Sequence, residues 1–146
     1  MINQNLDATW IFLNWEGIQR PNFKFFKLED YGIPYSYSPL IVVPHLLIER
    51  SKDELRRFLS ATKKGLLYSF KHTEESTNIL RPNVPLEERN IDLVNSLEFS
   101  KDYFGDDETF GKIDPKVFDD FFKWIKSKEI ESFNLKSNQF YIDLEF

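Results

Sequence analysis

The sequence predicts an α/β domain with strands early and helices late. Three observations support this class. Apolar and aromatic stretches fill the first quarter of the chain, the hydrophobic period becomes helical after Ser51, and 15 Phe residues among 146 supply large side chains for a core. A chain of this length is near the size of one complete hydrophobic core. We therefore expect residues 1–146 to form a single domain.

Short strands are expected in the early part of the chain. Their apolar, β-branched and aromatic residues are bounded by turn residues, and they cover Leu6–Leu13, Phe23–Leu28 and Pro39–Val43. Between the first two, Asn14–Arg20 is compatible with either one helical turn or a loop. Asp30–Pro34 is a turn, because Gly and Pro interrupt regular structure there. The tail, Phe140–Phe146, alternates weakly and is expected to be a final extended segment.

An amphipathic helix is expected to begin at Ser51. Ser51 followed by Glu54 is typical of a capping box, and the helix should run to about Phe70. Its apolar face consists of Leu55, Phe58, Leu59, Thr62 and Leu66. A short second helix, Glu74–Leu80, should stop before Pro82.

Two further helices are expected downstream, each opened by a proline. Pro85 suits the first turn of one helix, which should end near Phe104–Gly105. Its buried stripe would be Ile91, Val94 and Leu97. Asp114 should cap the other helix, with Pro115 at its first position. The aromatic repeat of that helix has the i, i+3, i+4, i+7 spacing of a core face and comprises Phe118, Phe121, Phe122 and Ile125.

Composition excludes several classes of function. The 24 acidic and 19 basic residues give a formal charge of −5, and the basic residues are scattered, so neither nucleic acid nor an anionic membrane surface is an expected partner. The chain has no cysteine, which excludes disulfides, thiolate metal sites and thiol catalysis. The start has neither a basic region nor a long apolar run, so a cytoplasmic location without membrane insertion is expected.

Several segments, read in order, resemble one family. They are Leu6–Ala8, Asn14–Gly17, Asp30–Pro34, Phe58–Gly65, Tyr103–Phe104, Phe110–Asp114 and the aromatic helix ending in Trp124–Ile125. Their order and spacing resemble the thiamine-pyrimidine-precursor-binding family. That family includes the substrate-binding proteins of ABC importers for hydroxymethylpyrimidine and formylaminopyrimidine, and the fungal pyrimidine synthases.

The resemblance implies a periplasmic-binding-protein type II-like fold, and only the C-terminal half of that two-lobed fold. In the family, the segment equivalent to Leu6–Ala8 lies well inside the second lobe, so this chain is expected to begin in mid-fold. The first lobe's share of the site and its sheet partners would then be absent. Exposed strand edges and apolar surface follow from that expectation. Importer-type family members are extracytoplasmic, unlike the location expected from this chain's start.

Asn14, Trp15 and Glu16 carry groups suited to binding an aminopyrimidine. Trp15 offers an aromatic face, Glu16 a carboxylate that can accept from an exocyclic amine, and Asn14 an amide that both donates and accepts. The alternative is a structural helical turn with Trp15 in the core and Glu16 in solvent. The residues alone leave both interpretations open.

Tyrosines on the following loop complete the expected ligand-binding set. The resemblance places Tyr31, Tyr35 and Tyr37 near the cleft or hinge, where a tyrosine can stack on a ring while its hydroxyl finds a partner. Tyr35 and Tyr37 are the expected ligand contacts. The alternative is that these aromatics cover strand ends, above all Tyr31.

No metal, cofactor or catalytic residue is expected. His45, assigned to a loop, and His72, at a helix end, have no second ligand at metal spacing. The acidic group Asp106–Glu108 lacks the alternation and the glycine of a calcium loop, so a solvated turn is favoured. The synthase relatives use a histidine and a cysteine cluster in the earlier half of their fold, which this chain does not possess. Enzyme activity is therefore not expected.

Two functions remain in competition. The first is a solute-binding protein, or part of one, that recognises a pyrimidine precursor of thiamine for an ABC importer. The alternative is a non-binding interaction module, either a split-gene half that needs a first-lobe chain or a relic. A homodimer is expected, through the phenylalanine-rich C-terminal helices or the early strands, unless the tail from Phe133 folds back over the gap.

Overall fold

The regular structure of this protein is helical. A computed structural model describes residues 7–20, 22–35, 37–38, 40–132, 134 and 136–146. The α-helices are α1 (His45–Arg50), α2 (Lys52–Lys71), α3 (Thr73–Leu80), α4 (Leu93–Phe104) and α5 (Pro115–Ser127). A π-helical turn spans Leu13–Gly17, and 3-10 turns span Leu28–Tyr31, Arg81–Asn83, Leu86–Glu88 and Ser137–Gln139.

The expected α/β class, including the periplasmic-binding-protein type II-like half-fold, is wrong for this structure. No strand occurs in the part of the chain that the structure describes. Residues 7–12, 24–27, 40–43 and 141–146 have no regular secondary structure, while Leu6 and Pro39 lie outside the described residues. A strand exists only when a neighbouring strand completes its hydrogen-bond ladder. β-Branched and aromatic composition reflects fit to a pleated surface, so it cannot create a strand without that neighbour.

The chain forms two compact units. The first comprises residues 1–24 and 65–108, and the second comprises residues 25–64 and 109–146. Each unit therefore draws on two separate stretches of sequence. The expectation of one domain over residues 1–146 stays a prediction.

The first unit has a small core beneath the start of α4. Val84, Ile91 and Leu93 are buried together, and Trp15 packs against them. The expectation of a helix opened by Pro85 is wrong, since Pro85 precedes only the 3-10 turn Leu86–Glu88. α4 begins later because the side chain of Asp92 accepts from the backbone N–H of Asn95 and caps it. Its end at Phe104, followed by Gly105, is confirmed.

The second unit is centred on α5. The capped start of this helix is confirmed, because Asp114 accepts from the backbone N–H of Lys116 and Pro115 takes the first position. Phe118 is buried, and its ring meets that of Tyr141 edge-on with centroids 5.2 Å apart. Phe121, Phe122 and Ile125 are half-buried on the same helix. The predicted core face of α5 is thus the face that packs.

The two helices predicted from Ser51 to about Phe70 and over Glu74–Leu80 are confirmed, with small shifts of their ends. α2 covers Lys52–Lys71 and α3 covers Thr73–Leu80. All of α2 is described, and none of its residues is buried; Phe58, expected on the apolar face, is 54% exposed. His45 was expected in a loop but begins α1. None of the helices that the structure describes is long and apolar enough to span a membrane.

Candidate functional site

The π-helical turn Leu13–Gly17, the π turn below, carries all three residues of the predicted Asn-Trp-Glu unit. The backbone N–H groups of Trp15 and Gly17 donate to the carbonyl oxygen of Phe12, at 3.1 and 3.0 Å. Glu16 Oε2 accepts from the backbone N–H of Phe12 at 3.0 Å and closes the turn. The helical alternative for this segment is therefore confirmed.

Asn14 directs its polar groups at α4. Its Nδ2 donates to Ser100 Oγ at 3.1 Å, and its carbonyl oxygen accepts from Ser96 Oγ. Ser100 Oγ in turn donates to the carbonyl oxygen of Ser96 at 2.8 Å. Both serines are buried. The amide of Asn14 is thus engaged within the protein.

Trp15 has both an apolar and a polar partner. Its ring packs against the buried cluster of Val84, Ile91 and Leu93. Its indole Nε1 donates to Glu88 Oε2 at 2.9 Å. The indole is half-buried and Glu16 is exposed, which is compatible with the structural interpretation of Trp15 packed on the core and Glu16 in solvent. That interpretation does not exclude a ligand role, since both residues also line a cavity.

A small open cavity lies beside Trp15 within the first unit. Its volume is about 170 Å³, and its lining consists of Trp15, Glu16, Gln19, Glu87, Glu88, Asn90 and Ile91. Pockets for drug-sized ligands begin at roughly 300 Å³, so this one suits a single heterocyclic ring. Three carboxylates on its rim create a negative potential that favours an amine or a cation. Among the described residues, no group of acidic or histidine side chains is arranged to hold a metal ion.

The two predicted tyrosines belong to the second unit, where they contact α5. The hydroxyl oxygen of Tyr37 accepts from the backbone N–H of Asp114 at 2.7 Å, at the start of that helix. The ring of Tyr35 meets Phe121 edge-on, with centroids 6.5 Å apart. Tyr31 is exposed and packs against Phe26 at 6.1 Å. The structure thus brings Trp15 and Glu16 together at one cavity, and it gives Tyr35 and Tyr37 structural contacts of their own.

The sequence interpretation missed four cavity residues: Gln19, Glu87, Glu88 and Asn90. The two glutamates lie in the segment that was expected to form the first turns of a helix opened by Pro85, and nothing in that expectation pointed to a site. One signal was available. Asp92, three residues before Asn95, has a side chain suited to an N-cap, and a helix that begins there leaves residues 86–91 free to form the wall of a site.

Other ionisable groups have local roles. The ring of His72 stacks on Tyr68 with centroids 4.1 Å apart, and the hydroxyl of Tyr68 donates to Glu75 at 3.0 Å. That bond to a carboxylate raises the pKa of Tyr68. Asp106 Oδ1 accepts from the backbone N–H of Glu108 at 2.9 Å. The exposed turn expected for Asp106–Glu108 is confirmed.

A small cavity with one aromatic wall and a polar rim defines a candidate small-molecule binder. The family model described as NMT1/THI5 like matches residues 1–76, which are 76 of the 146 residues. The chain therefore belongs to the NMT1/THI5-like family, and the resemblance to thiamine-pyrimidine-precursor-binding proteins is confirmed. The match includes the π turn, Tyr35 and Tyr37, whereas the cavity residues Glu87–Ile91 lie beyond it. No curated protein and no solved structure matches the chain.

Membership of the NMT1/THI5-like family indicates a general class of function. The family is mainly one of thiamine-pyrimidine-related binding proteins, and its fungal relatives act as pyrimidine synthases. The chain is accordingly associated with thiamine-related pyrimidines.

Proposed function

We propose that this protein binds an aminopyrimidine precursor of thiamine in the cavity beside Trp15 and Glu16. One observation carries the proposal: the family match covers the π turn, and the π turn places both side chains on one cavity. The family supports the proposed ligand class, and the geometry of the cavity supports the proposed position.

The chemistry of the cavity suits such a ligand. An exocyclic amine donates hydrogen bonds, and the Glu16 carboxylate accepts them through lone pairs beyond the one used by Phe12. Glu87 and Glu88 add acceptor oxygens and negative potential, which favour a ring that donates N–H hydrogen bonds over an anionic one. Trp15 supplies an apolar surface against which a flat ring can rest. Gln19 and Asn90 provide amides that can both donate and accept.

The finer role proposed is delivery of the pyrimidine to an ABC importer. Ligand contact by Asn14, Tyr35 and Tyr37 stays a prediction separate from this cavity, because none of the three lines it and the two tyrosines belong to the second unit. The protein would act as a binder without catalysis, either alone or with a first-lobe chain. A cytoplasmic location of this chain stays a prediction.

Calorimetry with hydroxymethylpyrimidine, formylaminopyrimidine and a pyrimidine lacking the exocyclic amine tests the proposal. Glu16→Gln should weaken binding of the aminopyrimidines by on the order of 2 kcal/mol, because a charged acceptor is lost. Glu108→Gln is the matched control, since it removes one carboxylate from an exposed turn that does not line the cavity. Trp15→Phe should also weaken binding while retaining an aromatic ring on the core cluster.

The proposal fails if the wild-type protein gives no heat with any aminopyrimidine at millimolar concentration. It also fails if Glu16→Gln and Glu108→Gln bind equally well. Circular dichroism on each variant checks that the fold is retained.

A second candidate function is a non-binding interaction module. The observation that favours it is the number of exposed apolar residues at 40–47 in the second unit, since surfaces of this kind often contact another chain. Absence of ligand heat together with stable self-association or capture of a first-lobe chain would support this candidate over the first.

A further inference from the structure

We infer that Asn14, Ser96 and Ser100 are positioning residues, which hold the π turn so that Trp15 and Glu16 face the cavity. This inference rests on the proposed function for its ligand readout. The three residues form a set of hydrogen bonds, the latch, that joins the π turn to α4. None of the three lines the cavity.

The latch holds Asn14 by its side chain and its backbone at once. Nδ2 donates to Ser100 Oγ, and the backbone carbonyl accepts from Ser96 Oγ. Ser96 and Ser100 are four residues apart, so their side chains lie one above the other on a single face of α4. Two attachment points on successive helical turns oppose rotation of the π turn, which a single contact would allow.

The latch sets the direction of the Trp15 side chain through the backbone that joins it to Asn14. Trp15 follows Asn14 directly, and successive residues of a helical turn point in different directions. With the amide of Asn14 held against α4, the indole projects toward Glu88, to which its Nε1 donates at 2.9 Å. Glu16, one residue further, reaches back to the N–H of Phe12. The orientation of both cavity side chains therefore depends on where Asn14 is held.

The burial of Ser96 and Ser100 indicates that their hydrogen bonds mainly fix the orientation of the π turn and contribute less to its attraction to α4. Ser96 and Ser100 are 6% and 7% exposed. An apolar pair of similar size would pack α4 against the π turn without the desolvation that a buried hydroxyl requires. Hydrogen bonds have directional requirements that apolar contacts lack, so they specify one orientation.

Fluorescence of Trp15 tests the latch independently of any ligand. The chain has three tryptophans, so Trp10→Phe with Trp124→Phe leaves Trp15 as the single emitter. In this background, Ser96→Ala and Ser100→Ala should lower the fluorescence anisotropy of Trp15 and raise its quenching by acrylamide. Ser100→Thr, which keeps a hydroxyl, should restore both in part. Ser69→Ala is the matched control, because Ser69 Oγ donates only to Leu66 within its own helix.

Binding of hydroxymethylpyrimidine by the same variants tests the functional consequence. Loss of either serine should weaken it by about tenfold, as expected for one lost buried hydrogen bond. Asn14→Leu gives a second route if the serine variants fail to fold, since it removes the Nδ2 donor, keeps a similar shape and offers no oxygen that could accept from Ser100. Unchanged anisotropy and quenching in the folded latch variants would overturn the inference. If Trp15 loosens as expected while the wild type binds no pyrimidine, the latch stands and the proposed function fails.

Discussion

Gly111 and Gly32 are two residues of the second unit whose backbone φ angles, +73° and +71°, lie in the left-handed region. They differ in their surroundings. A Cβ on Gly111 would lie 3.0 Å from Cζ of Phe146, whereas a Cβ on Gly32 would have no neighbour within 4 Å. Gly111 thus combines a conformational requirement with a steric one.

Alanine substitution should separate the two effects. Gly32→Ala should lower the free energy of unfolding by about 1 kcal/mol, the cost of a left-handed non-glycine residue. Gly111→Ala should cost about 2 kcal/mol, because the Phe146 ring must also move. Urea denaturation monitored by circular dichroism measures both. Equal losses in the two variants would show that the tail does not pack against Gly111.

In the first unit, the carboxylate of Glu98 links helices α3 and α4. Glu98 on α4 accepts from Thr73 Oγ1 at the start of α3, at 2.6 Å, and pairs with Lys101 on its own helix. The bond from Lys101, followed by that from Thr73, lowers the pKa of Glu98 below its ordinary value of 4.5. Asp119 on α5 is similar, since Lys123 and then Ser137 lower its pKa below 3.8.

The stability contributed by Glu98 should therefore depend on pH in the acid range. In the unfolded chain Glu98 takes up its proton at a higher pH than in the folded protein. Its contribution is complete above about pH 4.5 and is lost as the pH falls through the lowered folded pKa. Thermal melts from pH 7 to pH 3 should show a shallower decline in Tm for Glu98→Gln and for Thr73→Ala than for the wild type. An unchanged decline in both variants would contradict this role.

The molecule as a whole exposes apolar side chains in its second unit. Among the described residues, one group of exposed apolar side chains, the apolar patch below, comprises Leu40, Ile41, Val42, Leu46 and Leu47, and Val42 is 84% exposed. Residues 40–47 contain no Asp, Glu, Lys or Arg, so two copies facing each other there would meet little repulsion despite the net charge of −5. Patches of this kind are usually covered by another chain.

We expect a homodimer that buries this patch, with an interface above roughly 1,000 Å² in total. Val42→Lys should shift the equilibrium toward the monomer, because two lysines would be brought together across a two-fold contact. Val117→Lys is the matched control, since it adds the same charge on an exposed part of α5 outside the patch. Sedimentation equilibrium decides between the outcomes. A wild-type monomer at high concentration would contradict the prediction, as would equal effects of the two lysines.

Local rules predicted three of the helices, α2, α3 and α5, together with the end of α4, but they missed α1 and left the turn that carries the candidate site open between a helical turn and a loop. The extent of α2, the end of α3 before Pro82 and the Asp114–Pro115 start of α5 all follow from caps, periodicity and proline. The family followed from the order of short segments, and its match covers the Asn14–Glu16 unit. Helices are predictable in this way because their hydrogen bonds join residues four apart, so nearby sequence decides them.

Tertiary structure alone decided what is distant along the chain. Residues 40–43 carry a strand's composition but have no neighbouring strand within the described chain, so strand propensity was an unreliable guide. Ser100, which receives the Asn14 amide, is 86 residues away, and Glu88, which receives the Trp15 indole, is 73 residues away. Periodicity and capping report on a few neighbouring residues, whereas these contacts depend on how separate segments pack. The sequence therefore predicted Trp15 and Glu16 as site residues. The packing of distant segments formed the cavity beside them and brought Asn14 into hydrogen bonds with α4.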